Sequence, residues 1–229
     1  MDGVSAIDLI LSGDRTLFEI VRLSLFVTVS ATVLAAFVGM PLGATVALTR
    51  FPGRDAAVVV LNSLMGLPPV VVGLLVFLAL SRSGPLGSLG ILFTPAAMVI
   101  AQAVLIAPII AALTRQLIED LWAEYRDELT AMELRPLARV QALLWDARFS
   151  LVTILLAGFG RAAAEVGAVM IVGGNIDGFT RVMTTTIALE TSKGNLPLAI
   201  GLGVVLIALI MTVNAMAWGI RQWAERHAG

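Results

Sequence analysis

Long apolar runs alternate with short polar breaks along the whole chain. Residues 23–49 and 56–81 contain no Asp, Glu, Lys or Arg, and further apolar stretches cover about 95–113, 149–172 and 197–219. Because a helix needs about 20 apolar residues to cross a bilayer, each stretch predicts one membrane span. The pattern therefore predicts an all-α integral membrane protein with about five transmembrane helices.

One polar segment, the charged island of residues 115–148, interrupts this pattern between the third and fourth spans and carries twelve charged residues. Its pattern predicts one helix over Leu117–Glu133 and another over Leu137–Asp146. Pro136 fits the first turn of the second helix, where its missing N–H group is harmless. We expect a helix, a sharp turn and a helix against the membrane face. A chain this apolar has little reason to keep such a segment unless a soluble partner binds it.

The distribution of positive charge predicts the orientation. If the charged island is cytoplasmic, nine Lys and Arg residues lie inside and five outside, as the positive-inside rule requires. This predicts a protein of the cytoplasmic (inner) membrane with its N-terminus on the outer side and its C-terminus in the cytoplasm. Residues 1–20 then form an extracytoplasmic segment that could include an interfacial helix around Ile7–Leu11. Residues 21–220 form the transmembrane domain, and 221–229 form a cytoplasmic tail.

Prolines predict that two spans are broken. Pro41 lies late in the first span, and Pro68 and Pro69 lie in the middle of the second. Adjacent prolines remove two backbone donors and disfavour helical geometry at Leu67. Irregular backbone at membrane depth is tolerated only inside protein or beside a water-filled cavity. The breaks therefore favour a pathway through the membrane over a simple anchor, with a plain kink as the alternative.

Small residues four apart predict close contacts between helices. The pairs are Gly39 with Gly43, Gly160 with Ala164, and Ala164 with Ala168. Such spacing lets helix backbones approach in lipid, where burial of apolar surface supplies no net drive.

Composition excludes several classes of function. The chain is 59% hydrophobic and 14% charged, with a net charge of −1 and no basic tail, so no nucleic-acid partner is implied. It has no Cys, and its one His is His227. It lacks the Gly-x4-Gly-Lys-Ser/Thr nucleotide loop and the common hydrolase motifs. We therefore expect no catalytic residue, no metal site and no cofactor in this chain.

Arg161 and Glu165 are charged residues inside the fourth span. They lie four apart, hence on one helix face, and Arg161 lies about 18 Å along a helix from Phe149. A charge at that depth costs roughly 2.5–3.5 kcal/mol and must face protein or water. Two interpretations stay open: a polar element beside a transport path, or a buried pair that locks helices together.

A polar segment follows this span. Gly173-Gly174-Asn175 is typical of a turn, and the hydroxyls of Thr184, Thr185 and Thr186 could donate to an anion. The alternative is a surface loop that leads into a short helix, Thr184–Thr191, ended by Lys193 and Gly194.

The charged island resembles the coupling loop of ABC importer permeases of the type I membrane fold. The family pattern aligns with Asp127-Glu128-Leu129, Glu133, Leu143, Trp145 and Asp146, with Glu133 in place of the turn glycine and Asp146 in place of proline. Further segments resemble the oxyanion branch of that family: 11–14, 24–30, 39–43, 67–74 and 160–168. Residues 173–176 and 181–194 are most similar to tungstate permeases.

The resemblance implies the membrane subunit of an ATP-driven importer for an oxyanion, tungstate, with no enzyme activity of its own. It implies a second copy of the chain, an extracytoplasmic oxyanion-binding protein and two ATPase subunits that hold ATP and Mg. The ATPases would bind Tyr125, Asp127, Glu128, Glu133, Arg135 and Pro136. The pathway or intramembrane polar site would comprise Pro68, Pro69, Arg161, Glu165, Thr184, Thr185 and Thr186. The alternatives are a molybdate or sulfate permease of the same fold, and a non-transporting membrane scaffold.

Overall fold

The computed structural model describes residues 15–133 and 135–227, and within these ranges the chain is helical without strands. The predicted interfacial helix around Ile7–Leu11 lies outside the described residues. A short 3₁₀ turn, Gly87–Leu89, occupies the predicted loop before the third span. The α-helices are α1 (Arg15–Leu48), α2 (Arg54–Leu64), α3 (Pro69–Leu80), α4 (Pro95–Ala131), α5 (Pro136–Asp146), α6 (Arg148–Ala163), α7 (Gly167–Gly173), α8 (Met183–Ser192) and α9 (Leu196–His227).

Three helices of the described chain are long and apolar enough to cross a bilayer without interruption: Leu17–Leu48, Pro95–Ala131 and Leu196–Ile220. Two bent pairs, α2 with α3 and α5 with α6, raise the count to five if each pair forms one span. The prediction of an all-α membrane protein is confirmed, and the predicted number of spans lies within this range of three to five.

The two proline breaks have different outcomes. At Pro68 and Pro69 the helix axis turns by 101° between α2 and α3, as predicted. The predicted break at Pro41 is wrong, because α1 continues through it. A single proline removes only one donor, the one to the Phe37 carbonyl, and the Thr45 hydroxyl adds a bond to the Pro41 carbonyl at 2.7 Å one turn later. Nearby hydroxyls and local adjustment are the usual means by which membrane helices tolerate proline.

The first helix of the charged island is not a separate element. The structure has one helix of 37 residues, α4, in place of a third span followed by Leu117–Glu133. No Gly or Pro lies between Thr114 and Ala131 to stop it. The second predicted helix is confirmed as α5, which begins at Pro136 and ends at Asp146.

The predicted fourth span, 149–172, is also not one helix. It consists of α6, which ends at Ala163, and the short α7, which begins at Gly167. The intervening residues, Ala164–Val166, are not helical, and Glu165 is the middle one. The charged pair therefore lies at a break in the backbone, where the sequence predicted a continuous helix.

The chain forms two compact units, and α1, α4 and α6 each contribute to both. One unit comprises the residues up to Ala31, Pro68–Gln102 and the chain from Gly160 onward. Within it α3 packs on α7: a Cβ added to Gly73 would lie 2.7 Å from Ala168 Cα. The backbone N–H of Phe93 donates to the Val172 carbonyl at 2.9 Å and holds the loop before α4.

The other unit comprises Thr32–Leu67 and Ala103–Phe159. Here α1 crosses α4 at small residues, since a Cβ added to Gly39 or Gly43 would lie 2.8 Å or 2.3 Å from a carbonyl oxygen of α4. The close contact predicted from this pair is confirmed. Beside this crossing, Val46, Leu61 and Ala111 form a buried apolar cluster.

Candidate functional site

The residues predicted to form an intramembrane polar site, Arg161 and Glu165, are paired. Arg161 Nη1 donates to Glu165 Oε2 at 2.7 Å, and the backbone N–H of Ala168 donates to Glu165 Oε1 at 3.0 Å. The side chain of Glu165 is 3% exposed and that of Arg161 is 33% exposed. One carboxylate thus joins the end of α6 to the start of α7 and satisfies a donor that the break would otherwise leave without a partner.

The predicted break at Pro68 and Pro69 lies next to the break at Ala164–Val166, which the sequence did not predict. A Cβ added to Gly167 would lie 3.0 Å from a side-chain carbon of Val70, the residue that follows Pro69. The close approach of α3 to α7 at Gly73 continues this contact. The structure therefore brings Pro68, Pro69 and Glu165 into one region, although nearly a hundred residues separate them in sequence.

Gln102 adds an uncharged polar side chain to this region. Its Nε2 donates to the Ala162 carbonyl at 3.1 Å. Its Oε1 is buried without a hydrogen-bond partner in the described chain. A buried amide oxygen without a partner is costly. Sequence reasoning missed this residue, because a single uncharged amide in an apolar run gives no periodic signal.

Three consecutive threonines of α8, Thr184, Thr185 and Thr186, are buried and bind backbone. Thr184 Oγ1 donates to the Glu165 carbonyl at 2.8 Å, and the hydroxyls of Thr185 and Thr186 donate to the Val182 carbonyl. Thr185 also accepts from the N–H of Val182 at 3.1 Å. The predicted short helix is confirmed, since α8 ends at Ser192 with Lys193 as its cap. In this conformation the Thr184 hydroxyl holds α8 against the α6–α7 break, the other two hydroxyls close the first turn of α8, and the role of all three toward an anion stays a prediction.

The turn of the charged island lies between α4 and α5. Glu133 has a φ of 49°, the left-handed conformation in which an L side chain is strained and glycine is not. Asp127, Glu128, Glu133 and Arg135 are exposed. A cleft of about 240 Å³ lies between the two helices, lined by Tyr125, Glu128, Leu129, Met132, Ala142, Leu143 and Asp146.

The side chains of Met132 and Trp145 are 64% and 72% exposed in the same segment. Exposed apolar side chains among exposed charges are the usual composition of a protein-binding surface.

Arg54, Arg115 and Glu119 form an ion cluster at the base of the charged island, which we call the Glu119 cluster. Arg54 Nη2 donates to Glu119 Oε1, and Arg115 Nη1 donates to Glu119 Oε2 at 2.5 Å. Arg54 Nε also donates to the Val46 carbonyl at 3.0 Å. The spacing of Arg115 and Glu119 was readable as a helical pair, but the contribution of Arg54 required the tertiary structure.

A second cleft, of about 570 Å³, lies where α1 begins and where residues 177–181 turn. Its charged lining comprises Glu19, Arg22, Asp177 and Arg181. Arg181 pairs with Asp177 at 2.8 Å. By the predicted orientation this cleft faces the extracytoplasmic side, so we call it the outer cleft.

Glu190, near the end of α8, binds Lys193 Nζ and Asn195 Nδ2, each at 2.9 Å. These hydrogen bonds, that from Lys193 first, hold the pKa of the Glu190 carboxyl below its usual range. Among the described residues, no group of three or more His, Cys, Asp or Glu side chains is placed to hold a metal ion.

Comparison with known proteins connects this architecture to a family. No protein-family model matches the chain. The tungstate uptake system permease protein of Peptoclostridium acidaminophilum is 40% identical over 218 residues, which cover 95% of this chain and 96% of the relative. The probable anion ABC transporter permease protein of Haloferax volcanii is 40% identical over 205 residues, 87% of this chain and 88% of the relative.

The tungstate uptake system permease protein of Campylobacter jejuni is 34% identical over 209 residues, 91% of this chain and 87% of the relative. These matches confirm the family predicted from the charged island and from the segments around Pro68, Pro69, Arg161 and Glu165. The protein is a multi-pass membrane subunit without an enzymatic role, and it belongs to the permease family of ABC transporters, in the group that carries anions.

Proposed function

We propose that this chain is the permease subunit of an ATP-driven importer that carries tungstate across the cytoplasmic membrane. The observation that carries the proposal is 40% identity to a tungstate uptake permease over 95% of the chain. The proposed complex contains two copies of this chain, two ATPase subunits and an extracytoplasmic oxyanion-binding protein. The N-terminus lies outside and the C-terminus lies in the cytoplasm.

The intramembrane polar site supports a pathway. Backbone that leaves the helical path at membrane depth must face protein or water, and α6 and α7 separate at Ala164–Val166. Gly160 has no atom of another segment within 4 Å of an added Cβ, and Ala164 is exposed. In a membrane this face must be covered. We propose that this face contacts the second copy of the chain and lines the water-filled path between the two copies.

The charged island supports ATPase docking. Its exposed charges surround exposed Met132 and Trp145 and the cleft between α4 and α5. Tyr125 and Glu128, two of the coupling residues expected from the family resemblance, line that cleft. ATP-driven closure of the ATPase pair would displace this surface and switch the pathway between its two orientations.

The outer cleft supports delivery from the extracytoplasmic side. Arg22 and Arg181 place two cations at its lining, beside Glu19 and Asp177. Mixed charges at a rim favour orientation of an incoming protein more than tight capture of an anion. The oxyanion-binding protein would therefore supply most of the affinity for substrate.

The direct test is reconstitution of the complete complex in vesicles with its ATPase and binding protein. We expect ATP-dependent uptake of tungstate in excess over molybdate and sulfate. If molybdate or sulfate is taken up in preference to tungstate, the substrate of the importer is that oxyanion. ATP hydrolysis without uptake of any of the three would refute the importer.

Reversal of two island charges tests the docking surface. The variant Asp127→Lys/Glu128→Lys should insert and assemble, yet lose at least about tenfold in uptake, the cost of roughly 1.4 kcal/mol in coupling. Like charges placed across an interface repel. Asp120→Lys, exposed on the same helix below this surface, is the matched control. Normal uptake in the double variant would show that the ATPase binds elsewhere.

A further inference from the structure

We propose that Glu119 is a positioning residue that transmits movement of the charged island to the cytoplasmic ends of α1 and α2. The inference rests on the proposed function, since it describes how an ATPase bound to the island would move the membrane helices. The supporting observation is that the Glu119 carboxylate binds two arginines from different parts of the chain.

The charged island is rigidly continuous with a membrane helix. Because α4 runs unbroken from Pro95 to Ala131, a force on Tyr125 or Glu128 acts on the same helix that carries Glu119. Glu119 and Glu128 are nine residues apart, about 14 Å along the axis. A displacement of the island is therefore delivered to Glu119 with little loss.

Arg54 connects Glu119 to two other elements. It is the first residue of α2, and 65 positions separate it from Glu119. Its Nη2 binds the Glu119 carboxylate while its Nε donates to Val46 near the end of α1. One planar guanidinium thus ties α4, α2 and the last turn of α1. A lysine, with a single point charge, cannot make this arrangement.

The turn that carries Arg54 is short and well defined. Gly53 adopts a left-handed conformation with φ of 88°, directly after Pro52. Below the cluster the helices are in close contact, because a Cβ added to Gly43 would lie 3.0 Å from the backbone nitrogen of Arg115. Helices so packed move together or not at all. The Glu119 cluster therefore joins parts that the apolar contact already aligns.

The connection at the Glu119 cluster depends on its single carboxylate. The side chains of Arg54 and Glu119 are 29% and 30% exposed, so most of each lies inside the protein and the carboxylate holds the two arginines together. A network of several charges can contribute to the free energy of folding where an isolated surface ion pair contributes little. Without the carboxylate, two guanidinium groups would face each other and repel, which would open the α1–α2 turn away from α4.

The first measurement is the number of tungstate ions imported per ATP hydrolysed by the reconstituted complex. Glu119→Gln should lower this ratio by about fivefold or more, the lower end of coupling between sites, with ATP hydrolysis retained. Arg54→Lys should lower it less. Asp120→Asn, an adjacent exposed acid outside the cluster, is the control and should match wild type. An unchanged ratio in Glu119→Gln, or an equal loss in Asp120→Asn, overturns the proposal.

The second measurement does not depend on the substrate. Since the chain has no Cys, spin labels can be placed at Ala56→Cys and Ala123→Cys, two exposed positions on α2 and α4, with cysteine-free partner subunits. The separation of the labels should stay constant through the ATP cycle in the parent and change with ATP when Glu119→Gln is added. A constant separation in both overturns the proposal.

Two controls keep the tests decisive. If Glu119→Gln does not assemble, Glu119→Asp replaces it, because the shorter acid keeps the charge but cannot reach both arginines, and the same outcomes apply. If the wild-type complex imports none of the oxyanions, the proposed function fails, while the label separation still decides the role of Glu119.

Discussion

Two arginine–glutamate pairs with the same helical spacing differ in how deeply their carboxylates are buried. Arg161 and Glu165 lie inside the predicted fourth span, and the Glu165 side chain is 3% exposed. Arg115 and Glu119 lie at the base of the charged island, and Glu119 is 30% exposed and shared with Arg54. The spacing is identical, so the difference in role comes from the surroundings.

Burial makes the first pair a fixed part of the fold. A buried carboxylate needs every one of its partners, since the loss of one leaves a charge in low dielectric. Glu165 also accepts a backbone N–H from α7. The Glu119 cluster is more exposed at its carboxylate, so losing one partner there costs less free energy of unfolding, although the connection between α4 and the α1–α2 turn is lost.

The largest expected effect comes from the membrane pair. Glu165→Ala should lower the free energy of unfolding by about 3 kcal/mol, the lower end for a broken buried pair because Arg161 is partly exposed. Glu165→Gln keeps an acceptor for Arg161 and for Ala168 N–H, so it should cost clearly less. Thermal unfolding and expression of the two variants in detergent measure the difference. Equal and mild losses would mean that water already solvates Arg161, and the contrast between the two sites would fail.

A smaller effect is expected for the stability of the cytoplasmic cluster. Glu119→Gln should change the free energy of unfolding by about 1 kcal/mol or less, as is usual for partly exposed ion pairs. The same unfolding assay, repeated in 1 M salt, should shrink the difference further, because salt screens exposed charges. A loss as large as that of Glu165→Ala would make Glu119 a structural residue and weaken its role in transmission.

The smallest effect concerns Glu190, whose side chain is 11% exposed, between Glu165 and Glu119 in burial. Its carboxyl pairs with Lys193, whose side chain is 54% exposed, and hydrogen bonds hold its pKa below the usual range. A lowered folded pKa adds stability above the ordinary pKa of a glutamic acid, and this is lost as the pH falls through the lowered value. The stability difference between wild type and Glu190→Gln, followed from pH 7 to pH 3, should therefore shrink on the acidic side. A difference that does not vary with pH would contradict this.

Local chemistry accounts for the elements that the sequence predicted correctly. Pro68 and Pro69 remove two donors in succession, so the break between α2 and α3 needs no tertiary information. Pro136 begins α5 and Lys193 caps α8 for similarly local reasons. The close contact at Gly39 and Gly43 followed from residue size, which alone determines how near two helix backbones can approach.

The wrong predictions share a different cause. Pro41 was expected to break α1, yet the helix continues through it to Leu48, because one missing donor is tolerated inside a long membrane helix. The first island helix was expected to stand apart, but without a Gly or Pro stop it continues α4. The break at Ala164–Val166 was missed because Ala, Glu and Val give no local signal for it. There the Glu165 carboxylate and the packing of α7 on α3 supply what the helix loses.

By itself the sequence determined the membrane class, the number of apolar segments, the charged island and the family. These follow from hydropathy, charge bias and short motifs, which depend on residue type and spacing. Only the tertiary structure decided which further groups these carboxylates bind. Glu119 binds Arg54 across 65 positions, and Glu165 accepts the backbone N–H of Ala168 at the start of α7. Partner choice depends on how helices pack and on how much water remains between them, and neither is encoded in the local pattern of one segment.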